Sequence, residues 1–254
     1  MPPITAKWCP LANVGDRLTP WIVEKITGAH PTFAEGERDG RIMVAAGSIL
    51  NWARSGNVVW GAGLASFTDE VDPDCEIAAV RGPLSRARAL AAGCRCAAVY
   101  GDPGLLLPMW LPAADQGDAI GIIPHYVDQE RASIYRGKCK VINVLAPVEQ
   151  FVAEITSCNF VFSSSLHGLI IADAYGVPNA WIKLSDSVGG DGMKYLDHLM
   201  AMGRPVDGPI DCREAELQCV HAGRLAAEYR IGVDRGLMRE RLMAACPVGQ
   251  GGWK

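Results

Sequence analysis

Short apolar runs alternate along this chain with segments in which apolar residues recur at helical spacing. The runs are rich in valine, isoleucine and alanine and lack a clean polar–apolar alternation, which is typical of parallel strands covered on both faces. Their alternation with helical segments predicts parallel α/β units. Strands are predicted at residues 42–46, 58–60, 77–80, 97–100, 119–123, 141–145, 159–162 and 180–182. Helices are predicted at residues 16–27, 83–92, 147–156, 166–175 and 193–202.

A proline-bearing stretch that ends in polar residues, at 108–117, divides the predicted strands into two groups. We therefore expect an α/β fold of two doubly wound, Rossmann-like halves that face a cleft, comprising residues 1–112 and 113–254. The charged segment at 211–246 has apolar residues at about 3.6-residue spacing and is predicted to be helical. Since doubly wound sheets bind ligands beyond the carboxyl ends of their strands, the residues that follow each strand are the first candidates for a site.

Composition excludes several classes of function. The 254 residues carry a net charge of −4, so no strongly basic field attracts nucleic acid. No apolar run reaches the roughly 20 residues that a spanning helix needs, and the start of the chain lacks the features of a signal peptide. A cytoplasmic location is therefore expected. The nine cysteines and five histidines do not occur at zinc-ligand spacing, so we expect core cysteines, no metal and no cofactor.

The most informative segment is SSSLHGLIIADAYGVPNAWI at residues 163–182. It predicts a strand end, a tight turn and a helix that the serines are suited to cap. A helix N-terminus offers free N–H donors and the positive end of the dipole, so it favours a phosphate or a carboxylate. Ser165, Leu166 and His167 would lie beside such an anion, with His167 as a proton donor or a cation. A structural His167 bonded to a backbone carbonyl is the competing interpretation.

Arg81 directly follows the predicted strand at 77–80. A guanidinium at a strand end can bind phosphate or carboxylate through two parallel hydrogen bonds. A salt bridge within the sheet edge is the alternative.

Further candidates are weaker. Asn13, Gly15 and Asp16 open the first predicted helix, where Asp16 is either a base or a helix cap. The remaining positions lie at strand ends where backbone must approach a ligand or another backbone closely: Gly47, Ser48 and Gly61. Asp102 is interpreted as a turn residue. Trp8, Trp52, Trp60, Trp110 and Trp181 are candidates for stacking on sugar rings, with core burial as the alternative.

Taken in order, these segments resemble the polysaccharide pyruvyl transferase family, and most of all its short bacterial members that form ketals in exopolysaccharide synthesis. The resemblance covers nearly the whole chain. The matching segments are NVGDRLTPWIVEKITG (13–28), AAGSIL (45–50), VWGAGL (59–64), VRGPLSRAR (80–88), YGDPGLLLP (100–108), GIIPHYVD (121–128), SSSLHGLIIADAYGVP (163–178) and GMKYLDHLMAMGR (192–204).

The resemblance implies a fold similar to the GT-B glycosyltransferases, with the acceptor on the side of the first half. It implies transfer of the enolpyruvyl group of phosphoenolpyruvate to a sugar of a bacterial exopolysaccharide or its lipid-linked precursor, which forms a pyruvate ketal. Arg81 would hold the donor and His167 would protonate it, with Asp16 as a base and with His125 and Lys194 adding contacts. A lipid-linked acceptor would bring the enzyme to the inner face of the membrane as a peripheral protein.

Two alternatives stay open. One is a GT-B glycosyltransferase that uses a nucleotide sugar, and the other is an inactive partner in polysaccharide assembly.

Overall fold

The computed structural model describes residues 4–11, 13–36, 39–214, 222–248 and 253. Within these residues, ten short strands form two sheets of five strands each, and every pairing is parallel. The strands are β1 (Thr5–Lys7), β2 (Thr32–Phe33), β3 (Met43–Val44), β4 (Val58–Trp60), β5 (Glu76–Ala79), β6 (Ala119–Ile123), β7 (Lys140–Val141), β8 (Cys158–Ser163), β9 (Asn179–Lys183) and β10 (Ile210–Asp211). The helices are α1 (Val14–Thr27), α2 (Pro83–Ala91), α3 (Val148–Thr156), α4 (Leu166–Tyr175), α5 (Met193–Ala201), α6 (Ala222–Glu228) and α7 (Arg235–Ala244).

The two sheets share one topology. The first has the strand order β2-β1-β3-β4-β5, and the second has the order β10-β9-β8-β6-β7. Numbered along the chain within each half, both orders are 2-1-3-4-5, which is a doubly wound arrangement with its topological switch point between strands 1 and 3. The predicted α/β fold of two Rossmann-like halves is therefore confirmed, whereas the likeness to GT-B glycosyltransferases stays a prediction. The first switch point lies between β1 and β3, and the second lies between β6 and β8.

The predicted strand at residues 97–100 is wrong. Only Cys96 and Tyr100 form isolated parallel bridges, to Ile77 and Val80 of the edge of the first sheet. Arg86 Nε donates to the carbonyl of Cys96 at 3.1 Å, which diverts that acceptor from a continuous ladder. Three very short strands, β1, β2 and β10, were not predicted, because two or three residues are too few to show a pattern.

The halves share a hydrophobic core. One cluster joins buried side chains of the first sheet, such as Ile4 and Trp60, to Ile123 and Phe151 of the second half. Helix α7 belongs to this cluster through Leu242, and Trp60 Nε1 donates to the carbonyl of Leu242 at 2.8 Å. The last described helix therefore packs against the first sheet.

A buried carboxylate also joins the halves. Asp197 on α5 accepts from the backbone N–H groups of Leu84 and Ser85 and from the Ser85 hydroxyl at 2.6 Å. Helix α2 begins after Gly82, which has no side chain to cap it, so Asp197 supplies the cap from the other half. Arg81 Nη2 lies 3.1 Å from Asp197 Oδ2, and both side chains are fully buried.

None of the helices in the described ranges is both long enough and apolar enough to span a membrane.

We expect Asp197→Ala to lower the free energy of unfolding by about 3–5 kcal/mol, because it leaves Arg81 as an uncompensated buried charge and uncaps α2. Urea denaturation followed by far-UV circular dichroism measures this difference. Asp207→Ala, at an exposed position in the same half, is the matched control and should stay within about 0.5 kcal/mol of wild type. Equal midpoints and slopes for both variants would contradict the expected role of Asp197.

Candidate active site

A cavity of about 220 Å³ lies beyond the carboxyl ends of the four strands that flank the two switch points. We call this cavity the cleft. Its walls come from the segments after β1, β3, β6 and β8 and from the start of α5. The lining residues are Cys9, Leu11, Asn13, Asp16, Ala46, Gly47, Ser48, Ile49, Trp52, His125, Tyr126, Val144, Ser165, Leu166, His167 and Lys194.

The first turn of α4 points its free backbone donors toward this region of the fold. Ser165 is the N-cap residue, but its side chain forms no capping hydrogen bond. The hydroxyls of Ser163 and Ser164 bind elsewhere, to the carbonyl of Ser165 and to the carboxylate of Asp128. The prediction that serine hydroxyls cap α4 is therefore wrong. The N–H groups of residues 166 and 167 have no acceptor within the helix, so they are available to an anion.

His167 is held by a buried aspartate that the sequence analysis treated as a turn residue. The ring Nε2 lies 3.5 Å from Asp102 Oδ2, with the His167 side chain 12% exposed and Asp102 fully buried. That separation is an ion-pair distance and too long for a well-formed hydrogen bond, and Nε2 has no hydrogen-bond partner among the described residues. Asp102 is fixed in turn by two backbone donors at 2.8 Å, the N–H groups of Gly47 and Gly104.

Burial alone would raise the pKa of Asp102. The interactions with His167 and with the two backbone N–H groups outweigh burial, so the pKa of Asp102 lies below its ordinary value. An ionised Asp102 faces the His167 ring at ion-pair distance and orients it.

Gly15 provides the space in which the His167 ring lies. A Cβ atom built on Gly15 would collide with Nδ1 and Cε1 of His167. On the other side, a Cβ atom on Gly47 would lie 3.8 Å from Cε1, and the φ of 99° at Gly47 favours glycine. The ring is therefore confined between two glycine positions from the first half.

Asp16 has the pKa of a residue suited to proton transfer near neutrality. Burial raises the pKa of Asp16 to about 7, while the nearby His167 lowers it. The side chain of Asn13 accepts from the Asp16 N–H at 3.2 Å and donates to Asp16 Oδ2. Asn13 is therefore the cap of α1, and the Asp16 carboxyl lines the cleft.

Two further groups set the charge of the cleft. Burial, with a smaller effect of Arg81, lowers the pKa of Lys194 to about 8, and Lys194 Nζ donates to the carbonyl of Gly189 at 2.8 Å. Burial, together with Lys194, lowers the pKa of His125 to about 4, so His125 is neutral at pH 7. At pH 7 Lys194 is therefore a cation about one unit below its pKa, and His125 contributes an uncharged polar ring to the wall of the cleft. No group of three or more His, Cys, Asp or Glu side chains in the described ranges could hold a metal ion.

Arg81 lies behind the cleft wall and is not one of its lining residues. Its Nη1 donates to the hydroxyl of Ser48 at 2.8 Å, and its Nη2 donates to the carbonyl of Leu64. The guanidinium packs against Gly63, where a Cβ atom would collide with it, and Nε has no partner in the described part of the chain. Arg81 is therefore separated from the cleft by one side chain, that of Ser48.

The structure brings most of the sequence-based candidates together in the cleft, namely Asn13, Asp16, Gly47, Ser48, His125, Ser165, Leu166, His167 and Lys194. Gly15, Gly61 and Arg81 support the walls instead. Gly61 has a φ of 88°, and a Cβ atom there would collide with Pro103 and with the carbonyl of Gly101. The contact between Asp102 and His167 was not predicted from the sequence. Asp102 in the segment GDPG has the signal of a turn residue, and it does accept from the backbone N–H of Gly104 in that turn.

Among the described free cysteines, all but Cys9 are buried, as expected for core residues.

Two known proteins are similar to this chain over most of its length. A relative from Acanthamoeba polyphaga mimivirus, the uncharacterized protein L143, is 28% identical over 204 residues, which cover 75% of this chain and 71% of that protein. The succinoglycan biosynthesis protein ExoV of Rhizobium meliloti (strain 1021) is 26% identical over 224 residues, which cover 79% of this chain and 66% of that protein.

A family model described as polysaccharide pyruvyl transferase matches residues 33–186. The match spans more than half of the 254 residues and includes Arg81, Asp102, His125 and His167. The sequence resemblance is therefore confirmed, and the chain belongs to the polysaccharide pyruvyl transferase family.

Proposed function

We propose that this protein transfers the enolpyruvyl group of phosphoenolpyruvate to a sugar of a bacterial exopolysaccharide or its lipid-linked precursor, forming a pyruvate ketal. The observation that carries the proposal is the convergence of an Asp102–His167 pair, a free helix N-terminus, Lys194 and Asp16 on one cleft. Family membership and the role of one relative in succinoglycan biosynthesis support it.

The cleft has the charges that a small trianionic donor requires. The backbone N–H groups at the start of α4 and the ammonium of Lys194 are donors for phosphate and carboxylate oxygens. Arg81 acts through Ser48, whose hydroxyl it orients, and adds positive potential from behind the wall. In this proposal the donor lies between the first turn of α4 and Lys194.

The first step is protonation of the donor. Protonated His167 gives its proton to the methylene carbon of phosphoenolpyruvate, which leaves the adjacent carbon cationic. Asp102 stays ionised throughout and stabilises the imidazolium before the transfer. The buried carboxylate is thus a positioning residue, and His167 is the acid.

The next steps form the ketal. A sugar hydroxyl attacks the cationic carbon and gives its proton to Asp16, which forms one C–O bond. The C–O bond to phosphate then breaks with departure of inorganic phosphate, whose charge Lys194 balances. A second hydroxyl of the same sugar attacks the same carbon, closes the ring and gives its proton to the neutral His167. The proton on Asp16 leaves with the phosphate as hydrogen phosphate, so both residues return to their starting forms. The net reaction consumes one phosphoenolpyruvate and one diol and yields one ketal and one phosphate.

We expect His167→Ala to reduce phosphate release from phosphoenolpyruvate by about 10²–10⁴-fold, because the donor then lacks its acid. Release is measured colorimetrically with oligosaccharide acceptors, and circular dichroism checks the fold. His30→Ala is the matched control, since the His30 side chain is 64% exposed and its described contacts are with Glu24 and the edge of the Trp8 ring. Near wild-type release by His167→Ala would overturn the assignment of His167 as the acid, whereas calorimetric binding of uridine diphosphoglucose in place of phosphoenolpyruvate would overturn the proposed function.

We expect the pH profile of kcat/KM to rise through about pH 7 as Asp16 ionises to accept a proton, and to fall above about pH 8 as Lys194 loses its charge. Asp16→Asn should lose the rising limb and most of the activity.

The same substitution should stabilise the fold at higher pH. The folded pKa of Asp16, about 7, lies above its ordinary value of 3.8, so stability is lost as pH rises from one value to the other. Asp16→Asn removes that loss and should unfold at a higher temperature than wild type at pH 8, but not at pH 4. An unchanged acid limb in the variant rules out Asp16 as the base.

We expect Arg81→Lys to weaken binding of phosphoenolpyruvate, because a lysine cannot contact Ser48, Leu64 and Asp197 at the same time. Isothermal titration calorimetry measures the affinity and urea denaturation measures the stability. Lower stability with unchanged donor affinity would show that Arg81 joins the halves and has no role in donor binding.

A further inference from the structure

A second cavity, of about 340 Å³, lies beyond the carboxyl end of β9, next to the cleft. Its volume falls within the range of roughly 300–1,000 Å³ that small-ligand sites occupy. Its walls are the end of β9 and the glycine-rich segment 188–192 that leads into α5. None of the residues assigned to the proton-transfer steps lines it, so the mechanism leaves this cavity unused.

The cavity has an aromatic wall. Trp181 and Tyr195 both line it and stack on each other, with ring centroids 4.4 Å apart and planes 15° from parallel. Tyr195 is buried, whereas Trp181 is partly exposed. Gly192 has a φ of 92°, and a Cβ atom there would lie 3.3 Å from the Trp181 ring. Because Gly192 has no side chain, the loop lies close against the indole of Trp181.

The charged side chains of the lining, which lie among apolar residues such as Ile182 and Leu184, favour a neutral ligand over an anion. Asp186 has a 68% exposed side chain and pairs with Lys183 Nζ at 2.7 Å and with Arg213 Nη1 at 2.9 Å. Asp191 accepts from the Ser66 hydroxyl and the Phe67 N–H, so it fixes the glycine-rich segment to the first half. The 68% exposed Asp186 carboxylate is left as an acceptor for hydroxyl donors, and two carboxylates against one lysine in the lining do not attract phosphate.

Consecutive residues line the two cavities. Ser164 and Tyr195 line the second cavity, whereas Ser165 and Lys194 line the cleft. Tyr195 Oη donates to the carbonyl of Ser164 at 2.6 Å, which fixes the start of α5 to the segment after β8. The two cavities therefore lie side by side.

We propose that the second cavity binds a neutral pyranose of the acceptor, next to the sugar that is modified in the cleft. A pyranose presents an apolar C–H face to the indole of Trp181 and hydroxyl donors to Asp186. This inference rests on the proposed function, because it is the acceptor of that reaction that would bridge the two cavities. It adds a site for a second sugar and so favours an oligosaccharide over a free monosaccharide as acceptor.

Saturation-transfer NMR with the methyl pyranosides of glucose, galactose and mannose tests the site, and calorimetry with phosphoenolpyruvate tests the cleft separately. We expect at least one pyranoside to bind wild type. Trp181→Ala should weaken it about fivefold or more, and Asp186→Asn about threefold. Asp207→Asn, an exposed aspartate that lines a neighbouring cavity, is the matched control and should bind like wild type. Donor affinity should stay unchanged in all three variants.

The outcomes separate the two proposals. If no pyranoside binds wild type, or if binding is unchanged in both Trp181→Ala and Asp186→Asn, the sugar site is wrong even where phosphoenolpyruvate binds. If a pyranoside binds through Trp181 but phosphoenolpyruvate does not bind, the sugar site stands and the proposed transferase function fails. Asp186→Asn changes an exposed side chain, so it keeps the test decisive if Trp181→Ala does not fold.

Discussion

The buried carboxylate of Asp102 is the interaction on which the candidate site depends. It accepts from the backbone of Gly47 and Gly104 within the first half and faces His167 of the second half across 3.5 Å. A carboxylate without solvent needs partners, and here the partners are the loops that form the cleft. The same pairing therefore fixes the strand-end loop at residue 47, the turn at residue 104 and the histidine ring in one arrangement. Loss of any of these contacts would leave the buried Asp102 carboxylate with fewer partners and would therefore cost stability.

Repetition of one topology explains why the cleft has four strand ends around it. Each sheet has the order 2-1-3-4-5 and therefore one crevice where the chain leaves neighbouring strands in opposite directions. The segments after β1 and β3 provide Asn13, Asp16, Gly47 and Ser48, and the segments after β6 and β8 provide His125 and the start of α4. Facing crevices give a site whose titratable groups come from different halves, with Asp16 on one and His167 on the other. Such a site is complete only when both halves have folded.

The sequence predicted the parts of the fold that have a strong local signal. Helix α4 begins and ends at the predicted residues, 166 and 175, because the apolar helical run is closed by Gly176 in the left-handed conformation. Contacts between distant segments have no local signal. Arg81 looks like a ligand at a strand end, yet the fold buries it against Ser48 and Asp197, residues that are far away along the chain. The serines before α4 look like caps, yet neighbouring backbone and Asp128 compete for their hydroxyls.

The hydrogen bond between Trp60 and Leu242 has a consequence for synthesis of the chain. The two residues are 182 positions apart, and Leu242 belongs to the core that covers the first sheet. At roughly 5–20 residues per second, a ribosome makes Leu242 about 10 to 40 s after Trp60. During that interval the nascent first half exposes the apolar surface that α7 later covers. The first sheet is therefore covered only after the second half has been made, and chaperone occupancy of that surface would be greatest while the second half is still being translated.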